Sequence, residues 1–150
     1  MRTFVISALA AFALGSGALS ASAQSLGTAP EAKAMLYKAI AELKAGEANA
    51  LAQFNKSASG FHDRDIFVLC FNAIDGKFTA HLDKPLLGTD VRKYKIGSNA
   101  VGQHMFDAVK EGEIASVSYM APKPGTNQPA PKEIYLARVV NQGCGVSYFK

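Results

Sequence analysis

Apolar and polar positions alternate along this chain with two different periods, and the change of period divides it. Ahead of both lies a leader. A single basic residue, Arg2, precedes an apolar run over positions 4–14, residues 15–19 loosen it, and Ala21-Ser22-Ala23 ends it. That is the layout of a secretory signal cut between Ala23 and Gln24, so residues 1–23 are expected to be removed. A membrane-spanning helix needs about 20 apolar residues, and this run is shorter and closes in glycine and serine. No cysteine lies near the cut, so a lipid anchor is not expected there.

From Thr28 the period is helical. Thr28 and Glu31 form a capping-box pattern, and Met35, Leu36, Ala39, Ile40 and Leu43 recur at one-face spacing. The spacing predicts a helix to Ala45, interrupted by Gly46, and a short helical piece over 47–54 carrying Ala50, Leu51 and Phe54. The pattern then becomes strand-like. Residues 66–71 (IFVLCF) are apolar and rich in strand formers, Asp75-Gly76 is a hairpin signal, and 77–82 returns as a second strand. Residues 84–97, with Pro85, Gly88 and Gly97, read as an irregular connection. Ser98 is placed to cap a third helix running to Lys110, and strands are predicted over 114–121, 133–140 and 144–149. The loop PKPGTNQPAP separates the first two of these, and Asn141-Gln142-Gly143 turns between the last two. Hairpin-joined strands with helices segregated in sequence predict an α+β fold on an antiparallel sheet.

Composition narrows the function classes. The leader contains one basic and no acidic residue, so its removal lowers the formal net charge from +4 to +3. The remaining basic residues are scattered and not interleaved with aromatics, which argues against nucleic acid as a partner. Residues 24–150 suit one domain, without another stretch apolar enough to span a membrane. The two cysteines, Cys70 and Cys144, leave one possible pairing, and export favours a disulfide. Both lie in apolar strand-like runs, so two buried free thiols remain the alternative.

Four segments together resemble the single Cache family (type 2), whose members are PAS-like extracytoplasmic sensor domains. They are ALAQFN at 50–55, FVLCFNAIDGKFTAH at 67–81, LLGTDV at 86–91, and SYMAPKPG at 118–125 followed by APKEIYLARV at 130–139. The resemblance implies a five-stranded antiparallel sheet behind a long N-terminal helix, with a helix in the connection between strands 2 and 3. It also implies that the first and last strands are central neighbours, which brings Cys70 beside Cys144 and strengthens the disulfide reading. Family ligands are commonly small organic acids or other metabolites, held between one sheet face and the covering loop and helix. Most such domains are embedded in membrane receptors, whereas this chain stops at Lys150 just after its last strand. The expectation is therefore a stand-alone periplasmic or secreted domain without a membrane anchor, serving a membrane-bound sensor or transporter.

A carboxylate ligand calls for fixed donors in a partly desolvated pocket. Tyr119 and Lys132 occupy the matching family positions on either side of the PKPG loop. Their ordinary alternatives are a core aromatic and a solvated lysine. His81, where the family often has His-Pro, is a second donor or a surface residue at a strand end. Phe67 shares a strand face with Leu69 and Phe71, as core or as pocket floor. Tyr135 and Arg138 fall on opposite strand faces, and Tyr135 is preferred as the inward one. Arg92 is read as solvated, and Asp63, Arg64 and Asp65 as a structural ion cluster.

Metal and catalytic chemistry find little footing. His62, His81 and His104 are far apart, no cysteine pair has zinc spacing, and there is no Cys-x-x-Cys-His haem motif. Gly-x-Ser-x-Gly and Gly-rich phosphate loops are missing as well. The expectation is a non-enzymatic domain without cofactor that binds a small metabolite, a short organic acid, for sensing or scavenging. The rivals are a protein-interaction module without a small ligand and, more remotely, a redox carrier cycling Cys70 and Cys144.

Overall fold

The computed structural model describes residues 25–150; the expected signal segment and its cut at Ala23 lie outside the described residues. The chain order is α1 (Ala29–Ala45), α2 (Glu47–Asn55), β1 (His62–Asp63), β2 (Ile66–Asn72), β3 (Phe78–Ala80), α3 (Val101–Ala108), β4 (Ala115–Pro122), β5 (Pro129–Val139) and β6 (Gln142–Phe149). Two single helical turns, Lys84–Leu86 and Val91–Lys93, punctuate the connection before α3.

Helix α1 starts where the sequence said it would. The Thr28 hydroxyl accepts from the Glu31 N–H while the Glu31 carboxylate accepts from the Thr28 N–H, a closed capping box. Ala32, Met35, Leu36, Ala39 and Leu43 form its buried stripe. That stripe packs on Val68, Cys70, Cys144 and Val146 from the two middle strands.

The sheet is antiparallel in the order β3-β2-β6-β5-β4, with the two-residue β1 folded back on the start of β2. The first long strand and the last are thus central neighbours, and Cys70 is the register partner of Cys144. The two are joined in a disulfide, with Cα atoms 4.1 Å apart. Because β residues alternate faces, Leu69, Phe71, Ile134 and Leu136 point the other way and form a second core with Phe78, Val91, Val101 and Met105. The sheet therefore separates an α1 layer from a layer made of α3 and the 84–97 connection.

Several boundaries differ from expectation: β3 spans only Phe78–Ala80 of the expected 77–82, and β6 begins at Gln142, inside the expected turn. Helix α3 begins at Val101 with Ala100, not Ser98, at the cap position, because Ile96 and Asn99 exchange backbone hydrogen bonds and hold Ser98 in a tight turn. It ends at Ala108, two residues short of Lys110. Strand β5 begins at Pro129, four residues before Glu133, and keeps its pairing with β4 through Pro122↔Pro129. Its pairing with β6 stops at Lys132↔Phe149, so prolines 129 and 131 occupy a stretch with only one neighbouring strand, where a missing N–H is tolerated.

Candidate ligand-binding site

The sheet face turned away from α1 gathers hydrogen-bond donors. Register places Tyr119 of β4 opposite Lys132 of β5, and Lys132 opposite Phe149 of β6, so the three form one row across the sheet. The adjoining row is Val117, Ile134 and Ser147. Lys132 Nζ lies 4.5 Å from the centroid of the Phe149 ring, within reach of its negative face. Burial holds its ammonium below the ordinary lysine range, and the negative charge of Asp65 pulls it partly back. Burial pushes the Tyr119 hydroxyl up to about 12, opposed by the neighbouring Ser147 side chain, so it stays a neutral donor.

His81 follows β3 and is only 6% exposed, which removes the surface reading. Its Nδ1 accepts a 2.9 Å hydrogen bond from the Asp83 N–H. In the neutral ring that leaves the proton on Nε2, a fixed donor. The ring sits among Phe67, Phe78 and Tyr94 at centroid separations of 5.3, 5.4 and 6.2 Å. Burial lowers its pKa, and the Asp83 charge only partly offsets that, so the imidazole is neutral at neutral pH.

Tyr94 was not singled out by sequence reasoning. It lies just after the Val91–Lys93 turn, half-buried, with its hydroxyl pKa raised by burial. Its ring meets Phe78 edge-on at 5.7 Å, and the Gly102 N–H bonds its carbonyl, so α3 holds it in place. The one available signal was an aromatic soon after LLGTDV, in a stretch with no period to mark a face.

Structure and expectation part over Tyr135. It lies on the α1 side, stacked on Tyr148 at 5.4 Å, with Lys33 of α1 5.9 Å over its ring. Tyr135 is three residues from Lys132, an odd separation, so the two cannot share a face of one strand. The preference for Tyr135 as the inward residue is therefore corrected; Arg138 does not take its place, since its Nε donates to the Val140 carbonyl and it lines the cavity at the end of β5. Arg92 is clamped to Asp90 at 2.8 Å and lies over Phe106 at 5.0 Å. The ion cluster at 63–65 also rearranges: Arg64 pairs with Asp63 at 2.6 Å and Glu31 at 2.7 Å, leaving Asp65 out.

Two cavities open elsewhere on the described residues, and neither is lined by Tyr119, Lys132, His81 or Tyr94. About 510 Å³ opens between α1 and the end of β5, over a floor that includes Ile40, Ala137 and Val139. Its Lys44 and Arg138 are matched by Glu111 and Glu113, so its charges cancel. The donor cluster instead presents cationic Lys132 without a carboxylate within ion-pair distance among the described residues. A recess of about 180 Å³ lies beside Asp65, walled also by Ser25, Leu26, Arg64 and Pro124.

No group of three or more His, Cys, Asp or Glu side chains is placed to hold a metal among the described residues. No described helix is long and apolar enough to cross a membrane. What the face offers chemically is a neutral imidazole N–H, two tyrosine hydroxyls and an ammonium beside aromatic walls, a set suited to a carboxylate with a small apolar body.

No protein-family model matches the chain. No curated protein matches it either. Solved structures do. A methyl-accepting chemotaxis protein from Vibrio parahaemolyticus aligns with a TM-score of 0.62 at 20% identity, over 80% of this chain and 86% of that one. The periplasmic sensor domain of a chemotaxis protein aligns at 0.56 and 18% identity, over 77% and 85%. A Cache chemosensory domain described for carboxylic acid recognition aligns at 0.54 and 20% identity, over 77% and 83%. The chain thus has the PAS-like Cache fold of chemotaxis sensor domains, as its sequence resemblance implied.

Proposed function

We propose that this protein is an exported, non-catalytic binding domain that captures a small organic carboxylate for sensing or scavenging, and that it serves a membrane-bound sensor or transporter. The observation that carries the reading is the cross-strand pair Tyr119–Lys132 on the same sheet face as the buried His81. Lys132 and Tyr119 would take the carboxylate, with Nε2 of His81 and the Tyr94 hydroxyl as further donors and Phe67 as an apolar wall. The likeness to a domain described for carboxylic acid recognition supports the ligand class. The likeness to a periplasmic sensor domain supports export.

Titration calorimetry with acetate, propionate and lactate tests it. A charge-assisted hydrogen bond contributes about 1.5–3 kcal/mol, so Lys132→Ala should weaken binding by roughly tenfold or more. Unchanged affinity in Lys132→Ala would remove the site assignment. Absence of binding across the panel would favour a protein-interaction role without a small ligand.

A further inference from the structure

The two edges of the sheet are finished differently. At one edge β3 is three residues long, and the connection after it closes its outer side. There the Phe78 N–H donates to the Thr89 carbonyl, the Phe78 carbonyl accepts from the Gly88 N–H, and Lys77 bridges to Asp90. The opposite edge is β4, eight residues long and paired only with β5 among the described residues. Its register runs unbroken from Ala115↔Leu136 to Pro122↔Pro129, so no bulge blunts it. No charge guards it either, since the strand reads ASVSYMAP, with a proline only at its last position. Long, regular, uncharged edges are what proteins otherwise shield, because their free N–H and C=O groups template another strand.

Which groups are free follows from the ladder. Just past the strand the Lys123 N–H bonds the Gln128 carbonyl, and bonded positions alternate along an antiparallel pair. Val117, Tyr119 and Ala121 therefore bond β5, while Ser116, Ser118 and Met120 turn their backbone groups outward. The Lys150 N–H on the Pro131 carbonyl fixes the same phase from the β6 side. The side chains of Ser116, Ser118 and Met120 are exposed, Met120 to 44%. In an antiparallel second copy centred on Ser118, that residue faces its own counterpart and Ser116 faces Met120, and each pair exchanges both hydrogen bonds. Charge selects the same arrangement. Glu113 precedes the strand and Lys123 follows it, both exposed and outside any ion pair among the described residues. They stand equally far from Ser118 in sequence, so this register sets Glu113 of each copy against Lys123 of the other. In-register parallel pairing would oppose like charges at both ends. Lys150 and Glu133, beside Ser118, are already paired with each other at 3.4 Å and do not oppose the approach.

We propose that β4 is the interface of a twofold dimer of this chain, in which antiparallel β4–β4 pairing joins two sheets into one. The occupant is a second copy because the edge is complementary to itself: outward backbone groups, uncharged centre and opposite flanking charges all match under one twofold axis through Ser118. The inference does not depend on the ligand reading, since the contact is edge to edge and leaves both faces of each sheet as they are.

Sedimentation velocity of the purified protein from micromolar to submillimolar concentration tests the proposal. The wild type should show a reversible monomer–dimer equilibrium. Met120→Pro removes an N–H that bonds nothing within the monomer, at an edge position where proline is tolerated. It should abolish the dimer and keep the melting transition. Lys123→Glu turns the attractive pair at each end into a repulsive one and should weaken the dimer about tenfold. Adding Glu113→Lys restores opposite charges across the interface and should return wild-type association. If Met120→Pro does not fold, the charge series decides alone. A monomer at every concentration overturns the proposal and leaves the edge to an extended strand of another protein. A dimer that Met120→Pro leaves intact, or that Lys123→Glu does not weaken, overturns it as well, because such a dimer is built on another surface.

Discussion

His81 shows how burial turns an ambiguous sequence position into a definite chemical group. A histidine at the end of a strand reads equally well as surface or site. The Asp83 N–H on its Nδ1 and the rings of Phe67, Phe78 and Tyr94 around it choose the neutral, Nε2-protonated form. Since its folded pKa lies below the ordinary 6.5, the imidazole is neutral in both folded and unfolded chains above that pH. As pH falls through 6.5 the unfolded chain takes the proton first, so stability drops and levels off only below the folded pKa. The melting temperature should therefore fall between pH 7 and 5 more steeply in the wild type than in His81→Asn, whose amide oxygen can still accept from Asp83. Parallel curves would mean that His81 is not held neutral. At this scale the sequence also held a clue that was misread: the odd spacing of Lys132 and Tyr135 already assigned them to opposite faces.

Elements were legible where a period or a cap fixes them. The stripe of α1 and its Thr28–Glu31 box produced a helix with the expected start, and the apolar run from Ile66 produced a buried central strand. Legibility failed where a long-range partner sets the boundary. Nothing local announces that β5 continues through Pro131 because β4 runs beside it, or that an Ile96–Asn99 pair displaces the start of α3. Tyr94 was hidden for the same reason, since its position depends on α3 packing onto the turn before it. That packing is close: a Cβ on Gly102 would lie 1.7 Å from the Val91 carbonyl oxygen. The backbone there cannot yield as a flexible side chain would. Gly102→Ala should destabilise the domain by about 1–3 kcal/mol, as overpacking does, and should weaken ligand binding by displacing Tyr94. Urea denaturation beside calorimetry checks both effects, and a variant with unchanged stability would contradict this packing.

Across the whole molecule, the proposed function divides two tasks between the sheet's faces, and the disulfide belongs to only one of them. Cys70 and Cys144 are 74 residues apart in sequence, lie on adjacent central strands and are fully buried in the α1-side core. The bridge closes nearly the whole sheet into one loop. In the chain-entropy account such a loop restricts the unfolded state by about 4 kcal/mol. Replacing both cysteines with alanine should lower stability by roughly that amount, read as a reduced urea midpoint. Ligand affinity, measured where the variant is still folded, should not change, because Tyr119, Lys132 and Phe149 lie on the opposite face. A double variant that kept its stability but lost its ligand would reverse that division, and would place the bridge in the binding machinery that the topology separates from it.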